Sequence, residues 1–324
     1  MSIFEKRLNL KPYEYPSLLE FRDAIRHSYW LHTEFNFTGD VQDWFGKTNS
    51  VERTVLKRSM LAISQIEVAV KTFWARIFDR LPKPEIAEVG MTFAESEVRH
   101  SNAYSALLDL LRLNKEFENL SSIPVLMKRY EYLAKIQEGL KSMKVEDFIK
   151  TLILFSAFVE HISLFSQFLI MMSFNKYKSM FKGISNVIEA TSKEEQIHGL
   201  FGQALVGILR QEASNIFTTE FEEEVSQFAF QAFSNELELL EWLYDGSDLP
   251  FLPKNKVALF LQYRFDSSLM GCGFKKIFNT PKELISDLSW FENELYVKKE
   301  NDFFNKRSVD YAKKIHTFSE HSLF

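Results

Sequence analysis

Two Glu-x-x-His pairs, from Glu97 to His100 and from Glu195 to His198, are the part of this sequence best suited to chemistry. On a helix, residues three positions apart project from nearly the same face. Each pair therefore offers a carboxylate oxygen and an imidazole nitrogen to a metal ion. One such pair occurs by chance on many solvated helices, but two indicate a two-metal site between helices. Tyr104 follows His100 by one helical turn, which places a phenol on the same stripe.

A lone glutamate precedes each pair on a separate apolar segment. Glu67 lies in the apolar run 63–70, and Glu160 interrupts the most apolar stretch of the chain, LILFSAFVEHISLFSQFLIMMSF (152–174). An ionised carboxylate in such surroundings needs a partner or a metal. The order lone Glu, Glu-x-x-His, lone Glu, Glu-x-x-His is typical of ferritin-like bundles with a carboxylate-bridged metal pair. The predicted metal ligands are therefore Glu67, Glu97, His100, Glu160, Glu195 and His198.

This ligand set also favours particular metals. Four carboxylates offset the charge of two divalent cations, and hard oxygen ligands with two nitrogens favour iron or manganese over zinc. Each residue nevertheless has a purely structural interpretation. Glu67 could form an ion pair with Lys71 one turn later, Glu160 could be a core carboxylate paired with an arginine, and either histidine could be a hydrogen-bonded core residue.

The composition predicts an all-α protein. The 324 residues include only 11 Gly and 8 Pro, which suits long helices with short connections. A net charge of −5 with both signs interspersed gives no basic field, so nucleic acid is not expected as a partner. The stretch 152–174 has the length of a membrane span, but Glu160 would be costly at mid-bilayer, so we expect a buried central helix and no membrane association. The start lacks an apolar signal-like segment, which favours a cytoplasmic location.

Capping residues and helix breakers place the elements that must position the ligands. Asn49 or Ser50 is expected to cap a helix over about 51–79, and Pro84 to begin one over about 84–113. Further helices are expected over about 18–32, 123–137, 152–174, 184–212, 218–244, 257–270 and 281–292. We expect residues 1–295 to form one ferritin-like helical domain with the dinuclear metal site in its core, and residues 296–324 to form a mobile C-terminal tail.

Over nearly its full length the chain resembles the radical-generating small subunit of class I ribonucleotide reductase. The resemblance rests on the ligand pairs, on His100-x-x-x-Tyr104, on Trp30 and on the late stretch DFFNKRSVDY (302–311). It implies a homodimer whose metal pair stores an oxidising equivalent and passes it to a cysteine of a separate large catalytic subunit. The single Cys272 fits this division, because reduction of a ribonucleotide requires a redox dithiol that one cysteine cannot form within the chain.

The resemblance also implies roles outside the ligand set. Trp30 matches an aromatic residue near the cluster that relays an electron, and Tyr311 matches a tail tyrosine that passes the hole across the subunit interface. Glu194 matches the acid that joins this tryptophan to a ligand histidine, although most members have Asp there. The C-terminal tail is expected to bind the large subunit.

Tyr104 matches the residue that carries a stored radical in many relatives, but three nearby positions depart from their pattern. Glu67 stands where many relatives have Asp, Lys71 places a cation on the same helix face, and Thr191 puts a hydroxyl in a pocket that is usually apolar. These departures resemble the subgroup that stores the oxidant on a dimanganese centre without a tyrosyl radical. A di-iron or mixed manganese and iron centre is the alternative.

Two other functions share the ligand pattern. A stand-alone dimetal oxidase acting on a lipid-like molecule would need an apolar channel and no functional tail, and the late Phe-Phe element speaks against it. A ferritin-like metal storage protein would have a shorter chain than 324 residues and carboxylate-lined surfaces for mineral.

Overall fold

The fold is all-α, as predicted. The computed structural model describes residues 2–295, apart from the side chains of Ala69 and Gln137. An isolated bridge between Leu249 and Leu252 is the one β pairing in this part of the chain. The α-helices here are α1 (Leu19–His27), α2 (Thr38–Gln42), α3 (Ser50–Ala75), α4 (Pro84–Leu111), α5 (Asn114–Glu118), α6 (Pro124–Gly139), α7 (Val145–Ile153), α8 (Phe165–Lys178), α9 (Lys182–Glu212), α10 (Thr219–Tyr244), α11 (Lys254–Gly271) and α12 (Ser289–Leu295).

Four long helical stretches build the bundle that positions the predicted ligands. They are α3, α4, α9 and the stretch from α7 through α8. α3 packs against α4 and α8, α9 packs against α8, and α1 lies against α4 and α9. The side chains between these helices are largely apolar and buried, so the bundle interior excludes water from the segments that carry the ligands.

The ends of α3 and α4 follow the predicted signals closely. The Asn49 side chain accepts a hydrogen bond from the backbone N–H of Glu52 at 2.9 Å, while the Glu52 carboxylate accepts one from the backbone N–H of Asn49 at 3.3 Å. This reciprocal capping box satisfies two donors that the first turn would leave unpaired. α4 begins at Pro84 and ends before Arg112, which adopts a left-handed conformation with φ of 57°. α3 ends at Ala75, four residues earlier than predicted, and the chain continues as a 3₁₀ turn over Ile77–Asp79.

The predicted central helix is not a regular α-helix. Between α7 and α8, residues Leu154–Ser163 wind as a π-helix, which we call the π segment. Side chains from other helices bind its backbone carbonyls: Arg264 donates to His161 O at 3.0 Å, Ser268 to Ala157 O at 2.8 Å and Arg129 to Ser163 O at 2.8 Å. These bonds satisfy carbonyl groups in a buried, irregular stretch of helix, where unpaired groups would be costly.

Two glycines of α9 allow the π segment to lie close to that helix. A Cβ atom at Gly202 would lie 2.0 Å from Cβ of Ser156, and one at Gly199 would lie 2.8 Å from Cβ of His161. Neither distance is possible for a real side chain without movement of the backbone. The small residues therefore bring the π segment, and Glu160 with it, against the helix that carries the second Glu-x-x-His pair.

The apolar central stretch is buried, as predicted. Val145–Lys178 is the one helical stretch in the described residues with the length and composition to cross a membrane, with a mean hydropathy of 1.6 in its most apolar window. Inside the protein, 89% of that window is buried. Its apolar character is thus accounted for by the bundle core.

Candidate dinuclear metal centre

The structure brings all six predicted ligands together in the middle of the bundle. Glu67 is the most exposed of them at 2%, and the other five side chains are completely buried. Helix α3 supplies one glutamate, the π segment another, and α4 and α9 supply one Glu-x-x-His pair each; the six residues are Glu67, Glu97, His100, Glu160, Glu195 and His198.

The ligand atoms form two overlapping groups, and within each group the atoms lie within 4.8 Å of one another. Glu67 and His100 belong to the first group, and Glu160 and His198 belong to the second. Glu97 and Glu195 are common to both, and the two shared residues therefore come from the two Glu-x-x-His pairs. This is the arrangement expected for two metal ions joined by two bridging carboxylates.

The orientation of the shared carboxylates supports bridging. Oε2 of Glu97 lies 3.5 Å from Nδ1 of His100, while its Oε1 lies 3.1 Å from Nδ1 of His198. Glu195 is oriented in the same way, with Oε1 3.0 Å from Nδ1 of His100 and Oε2 3.2 Å from Nδ1 of His198. Each carboxylate thus presents one oxygen to each histidine, and the two histidine Nδ1 atoms both face the cluster.

Unpaired polar atoms show that the protein alone does not complete this site. Seven buried ligand atoms lack a hydrogen-bond partner among the described residues, although such atoms are costly to bury unpaired. Four carboxylate charges also meet here, and they match the charge of two divalent cations. The residues present therefore fit a dinuclear metal centre. The unpaired atoms are both oxygens of Glu67 and of Glu97, Oε2 of Glu160, Oε1 of Glu195 and Nδ1 of His100.

The electrostatics of the metal-free cluster favour bound protons. Burial raises the pKa of Glu67 to about 8, and the charge of Glu97 adds to the effect. Burial likewise raises the pKa of Glu195 well above its usual range. Burial opposes protonation of His198, but the neighbouring Glu160 and Glu97 outweigh it and raise its pKa to about 9. Metal ions would take the place of these protons.

His100 is supported from behind by Glu194. Its Nε2 donates to Oε2 of Glu194 at 2.7 Å, which leaves the lone pair of Nδ1 for the cluster. Arg99 donates two further bonds to the same carboxylate, at 3.2 and 3.0 Å. The Glu194 carboxylate is fully buried, so the buried guanidinium of Arg99 supplies its compensating charge.

His198 has a different, uncharged support. Its Nε2 lies 3.0 Å from Oγ of Ser96, and that hydroxyl donates its own proton to the carbonyl of Phe93 at 2.8 Å. Ser96 Oγ must therefore accept from Nε2 of His198, which again directs Nδ1 toward the cluster. The two histidines share a tautomer but differ in the charge of their supporting group.

Trp30 lies beside the cluster and is linked to Glu194 through Arg99. The ring of Trp30 stacks on that of His100, with centroids 5.9 Å apart and planes 16° from parallel. Its buried Nε1 has no hydrogen-bond partner among the described residues. Arg99 donates to the backbone carbonyl of Trp30 at 3.3 Å and also to Glu194. Arg99 therefore connects Trp30 to the acid that supports His100.

Tyr104 is buried within the electrostatic reach of the cluster. Burial and the charge of Glu67 raise the pKa of its phenol well above the usual value. Thr191 acts in the opposite direction on that pKa, which places its hydroxyl near the phenol. Neither the Tyr104 nor the Thr191 oxygen, however, has a hydrogen bond of ordinary geometry within the described residues.

The structural alternatives considered for Glu67 and Glu160 are not observed. Lys71 is only half-buried, and neither oxygen of Glu67 has a hydrogen-bond partner in the described part of the chain. Oε1 of Glu160 accepts a hydrogen bond from Nε1 of Trp74 at 3.1 Å, not from an arginine. Lys71 nonetheless acts on the site, because its charge opposes the rise in the pKa of Glu67.

Three residues of the site were missed by sequence reasoning: Arg99, Ser96 and Trp74. Ser96 directly precedes the first Glu-x-x-His pair and Arg99 lies inside it, but their positions in the sequence do not show which groups they meet on α9. Trp74 is two helical turns after Glu67 and carried no distinguishing signal. The predicted Tyr311 and the tail 296–324 lie outside the described residues.

Comparisons with known proteins agree with this centre. A family model described as ribonucleotide reductase, small chain, matches residues 7–284. A probable ribonucleoside-diphosphate reductase small subunit of Invertebrate iridescent virus 3 is 23% identical over 330 residues, which cover 97% of this chain and 86% of the relative. The ribonucleoside-diphosphate reductase subunit beta of Chlamydia pneumoniae is also 23% identical, over 87% of this chain and 83% of the relative.

Solved structures with the same fold come from the same group of proteins. The ribonucleotide reductase R2 subunit from Clostridium botulinum superposes with a TM-score of 0.80 at 18% identity, covering 88% of this chain and 89% of that one. The dimanganese(II)-NrdF of Streptococcus sanguinis gives 0.75 at 17% identity, covering 90% of this chain and 100% of that one. Because the family model spans most of the sequence, the chain belongs to the ribonucleotide reductase small-chain family.

Proposed function

We propose that this chain is the small subunit of a class I ribonucleoside-diphosphate reductase and provides the oxidising equivalent that its large subunit uses to make deoxyribonucleotides. The observation that carries the proposal is the pair of overlapping ligand groups that share Glu97 and Glu195. The test is turnover of a ribonucleoside diphosphate by the metal-loaded chain with and without the large subunit. Deoxyribonucleotide should form only in the combined sample, and its formation by this chain alone would contradict the proposal.

The protein side chains prepare the site for one-electron chemistry. When bound, the metal pair supplies the oxidising equivalent. The buried ligands keep water away from it, and the bonds of Glu194 and Ser96 fix the tautomers of the two ligand histidines. Cys272 is buried, and burial raises the pKa of its thiol to about 12. The cysteine that is oxidised is proposed to belong to the large subunit.

We propose that electron transfer between the metal pair and the large subunit passes through Trp30. Its ring stacks on His100, and Arg99 ties its backbone to Glu194, which itself accepts from His100. Tyr311, in the tail, is proposed to continue this route to the large subunit. Trp30→Phe and Tyr311→Phe should each abolish nucleotide reduction while two metal ions remain bound; normal turnover in either variant would remove that residue from the route.

The proposed metal is manganese, with the oxidant stored on the metal pair and not on Tyr104. The proposal is supported by Lys71, whose charge opposes the rise in the pKa of Glu67, and by Thr191, which opposes the rise in the pKa of the Tyr104 phenol. Paramagnetic resonance of the activated protein should show a multiline dimanganese signal, and Tyr104→Phe should keep substantial activity. A narrow tyrosyl signal with stoichiometric iron would contradict both assignments.

Association with the large subunit is proposed to use the tail 296–324, and the small subunit itself is proposed to be a homodimer in the cytoplasm. Deletion of about the last 15 residues, at a chain terminus where truncation is generally tolerated by the rest of a fold, should abolish binding to the large subunit. Sedimentation of the two purified subunits together measures this directly. Undiminished association of the truncated chain would place the contact elsewhere.

A further inference from the structure

Trp74 is the tryptophan that makes a hydrogen bond to a predicted metal ligand. It lies on α3, is fully buried, and donates from Nε1 to Oε1 of Glu160 at 3.1 Å. Trp30, the other tryptophan beside the cluster, has no partner for its indole N–H among the described residues. The two rings therefore act on the cluster in different ways.

The indole bond makes the two oxygens of Glu160 inequivalent. Oε1 is engaged by Trp74, whereas Oε2 has no hydrogen-bond partner among the described residues and lies 3.6 Å from Nδ1 of His198. Glu67 occupies the corresponding place in the other group, and neither of its oxygens has a partner in the described part of the chain. The protein therefore holds one oxygen of Glu160 and neither oxygen of Glu67.

The position of the indole is fixed by aromatic packing on several sides. The ring of Trp74 contacts those of Phe93, Phe155 and Phe201, with centroid separations of 5.4, 5.7 and 5.5 Å. Side chains in such a close-packed interior keep one rotamer. The N–H group is thus held toward Glu160 and does not depend on a flexible side chain.

The two groups differ in what holds the second oxygen of their lone glutamate. In each group four residues bring one atom each to within 4.8 Å of the others. The second oxygen of Glu67 has no hydrogen-bond partner among the described residues, whereas that of Glu160 is engaged by the indole of Trp74. Manganese and related ions favour six ligands, so an oxygen held back by the indole would leave room for an external ligand beside His198.

We propose that Trp74 is a positioning residue that restricts Glu160 to one metal-facing oxygen and thereby keeps a coordination position open beside His198. Without the indole N–H, Oε1 of Glu160 would be free to turn toward the metal and occupy that position. The inference rests on the proposed dinuclear centre, because an open position has meaning only when the metals are bound.

The test uses the full-length protein loaded with cobalt(II), whose visible absorption reports coordination, and azide as the external ligand. Trp74→Phe removes the N–H group and keeps an aromatic ring. It should retain two cobalt ions per chain and bind azide roughly tenfold more weakly, because azide must now compete with a carboxylate oxygen released from a charge-assisted hydrogen bond. Phe174→Leu is the matched control, since it truncates a buried aromatic ring of the same bundle that packs on Phe181 and Phe251 and has no ring contact with Trp74, and it should bind azide as the wild type does.

The outcomes separate this inference from the proposed function. Wild-type azide affinity in Trp74→Phe, with cobalt bound, would overturn the role of Trp74, as would equal weakening in Phe174→Leu. If Trp74→Phe does not hold two cobalt ions, Trp74 is replaced by benzothienylalanine, which has the same shape but no N–H. Weaker azide binding than in the wild type would then support the role of the N–H group, and equal binding would overturn it. A wild-type chain that binds fewer than two cobalt ions would instead overturn the dinuclear centre itself.

Discussion

Glu194→Gln tests the support behind His100. The substitution keeps the size of the side chain and removes its charge. In the wild type, the carboxylate accepts from Nε2 of His100 at 2.7 Å and from two nitrogens of Arg99 at 3.2 and 3.0 Å. A glutamine has only one carbonyl oxygen to accept from these three N–H groups. Its NH₂ group, itself a donor, would face at least one of them and could not accept its hydrogen bond. The buried guanidinium would lose its fully buried counter-charge.

The expected magnitude follows from the burial of the pair. Removal of one partner from a buried ion pair costs about 3–5 kcal/mol. We expect about 3 kcal/mol, at the lower end of that range, because Arg99 retains Glu95 at 2.9 Å. Loss of a group that orients a ligand histidine should also weaken metal binding by about 10- to 100-fold.

Urea unfolding of the metal-free protein and cobalt(II) titration of the folded protein measure these two effects. Glu95→Gln is the matched control, since Glu95 pairs with the same arginine but its side chain is 48% exposed. That variant should lose less than about 1 kcal/mol, as exposed ion pairs do, and should bind cobalt normally. Equal effects of the two substitutions would refute the argument that burial of Glu194 sets its importance.

Three further predictions concern the surroundings of the ligands. Ser96→Ala removes the acceptor for Nε2 of His198 and should weaken cobalt binding by about tenfold in the same titration; unchanged affinity would contradict it. Glu67 and His198 have pKa values of about 8 and 9, so in the metal-free protein they hold protons at neutral pH that a metal ion must displace. The affinity for manganese should therefore increase as the pH rises toward these pKa values, and an affinity that does not change with pH would contradict the prediction. Gly202→Ala should destabilise the protein by about 1–3 kcal/mol in urea, because its Cβ meets Ser156; wild-type stability would show that the contact relaxes freely.

The ligand set could be predicted from the sequence because it depends on helical periodicity. Glu97 and His100 must share a face wherever their helix lies, and a buried carboxylate such as Glu160 needs a partner in any fold. The structure places the predicted ligands together, and the family model confirms the resemblance to the ribonucleotide reductase small chain. Helix starts at Asn49 and Pro84 were likewise predictable, because capping chemistry is local.

The remaining features depend on contacts between distant segments. The π segment could not be predicted, because the carbonyls in this irregular stretch are bound by side chains from other helices, Arg264 among them. The same holds for Trp74, which meets Glu160 across 86 residues of sequence. The part of Arg99 in linking Trp30 to Glu194 could not be predicted for the same reason, since the arginine engages both groups, which come from distant segments of the chain.

Metal content of the purified, manganese-loaded chain tests the central claim most directly. We expect two manganese ions per chain for the wild type, and loss of both from a Glu97→Gln variant, because the Glu97 carboxylate presents an oxygen to each histidine. One ion per chain in the wild type, or two ions retained without Glu97, would contradict a centre built on shared carboxylates.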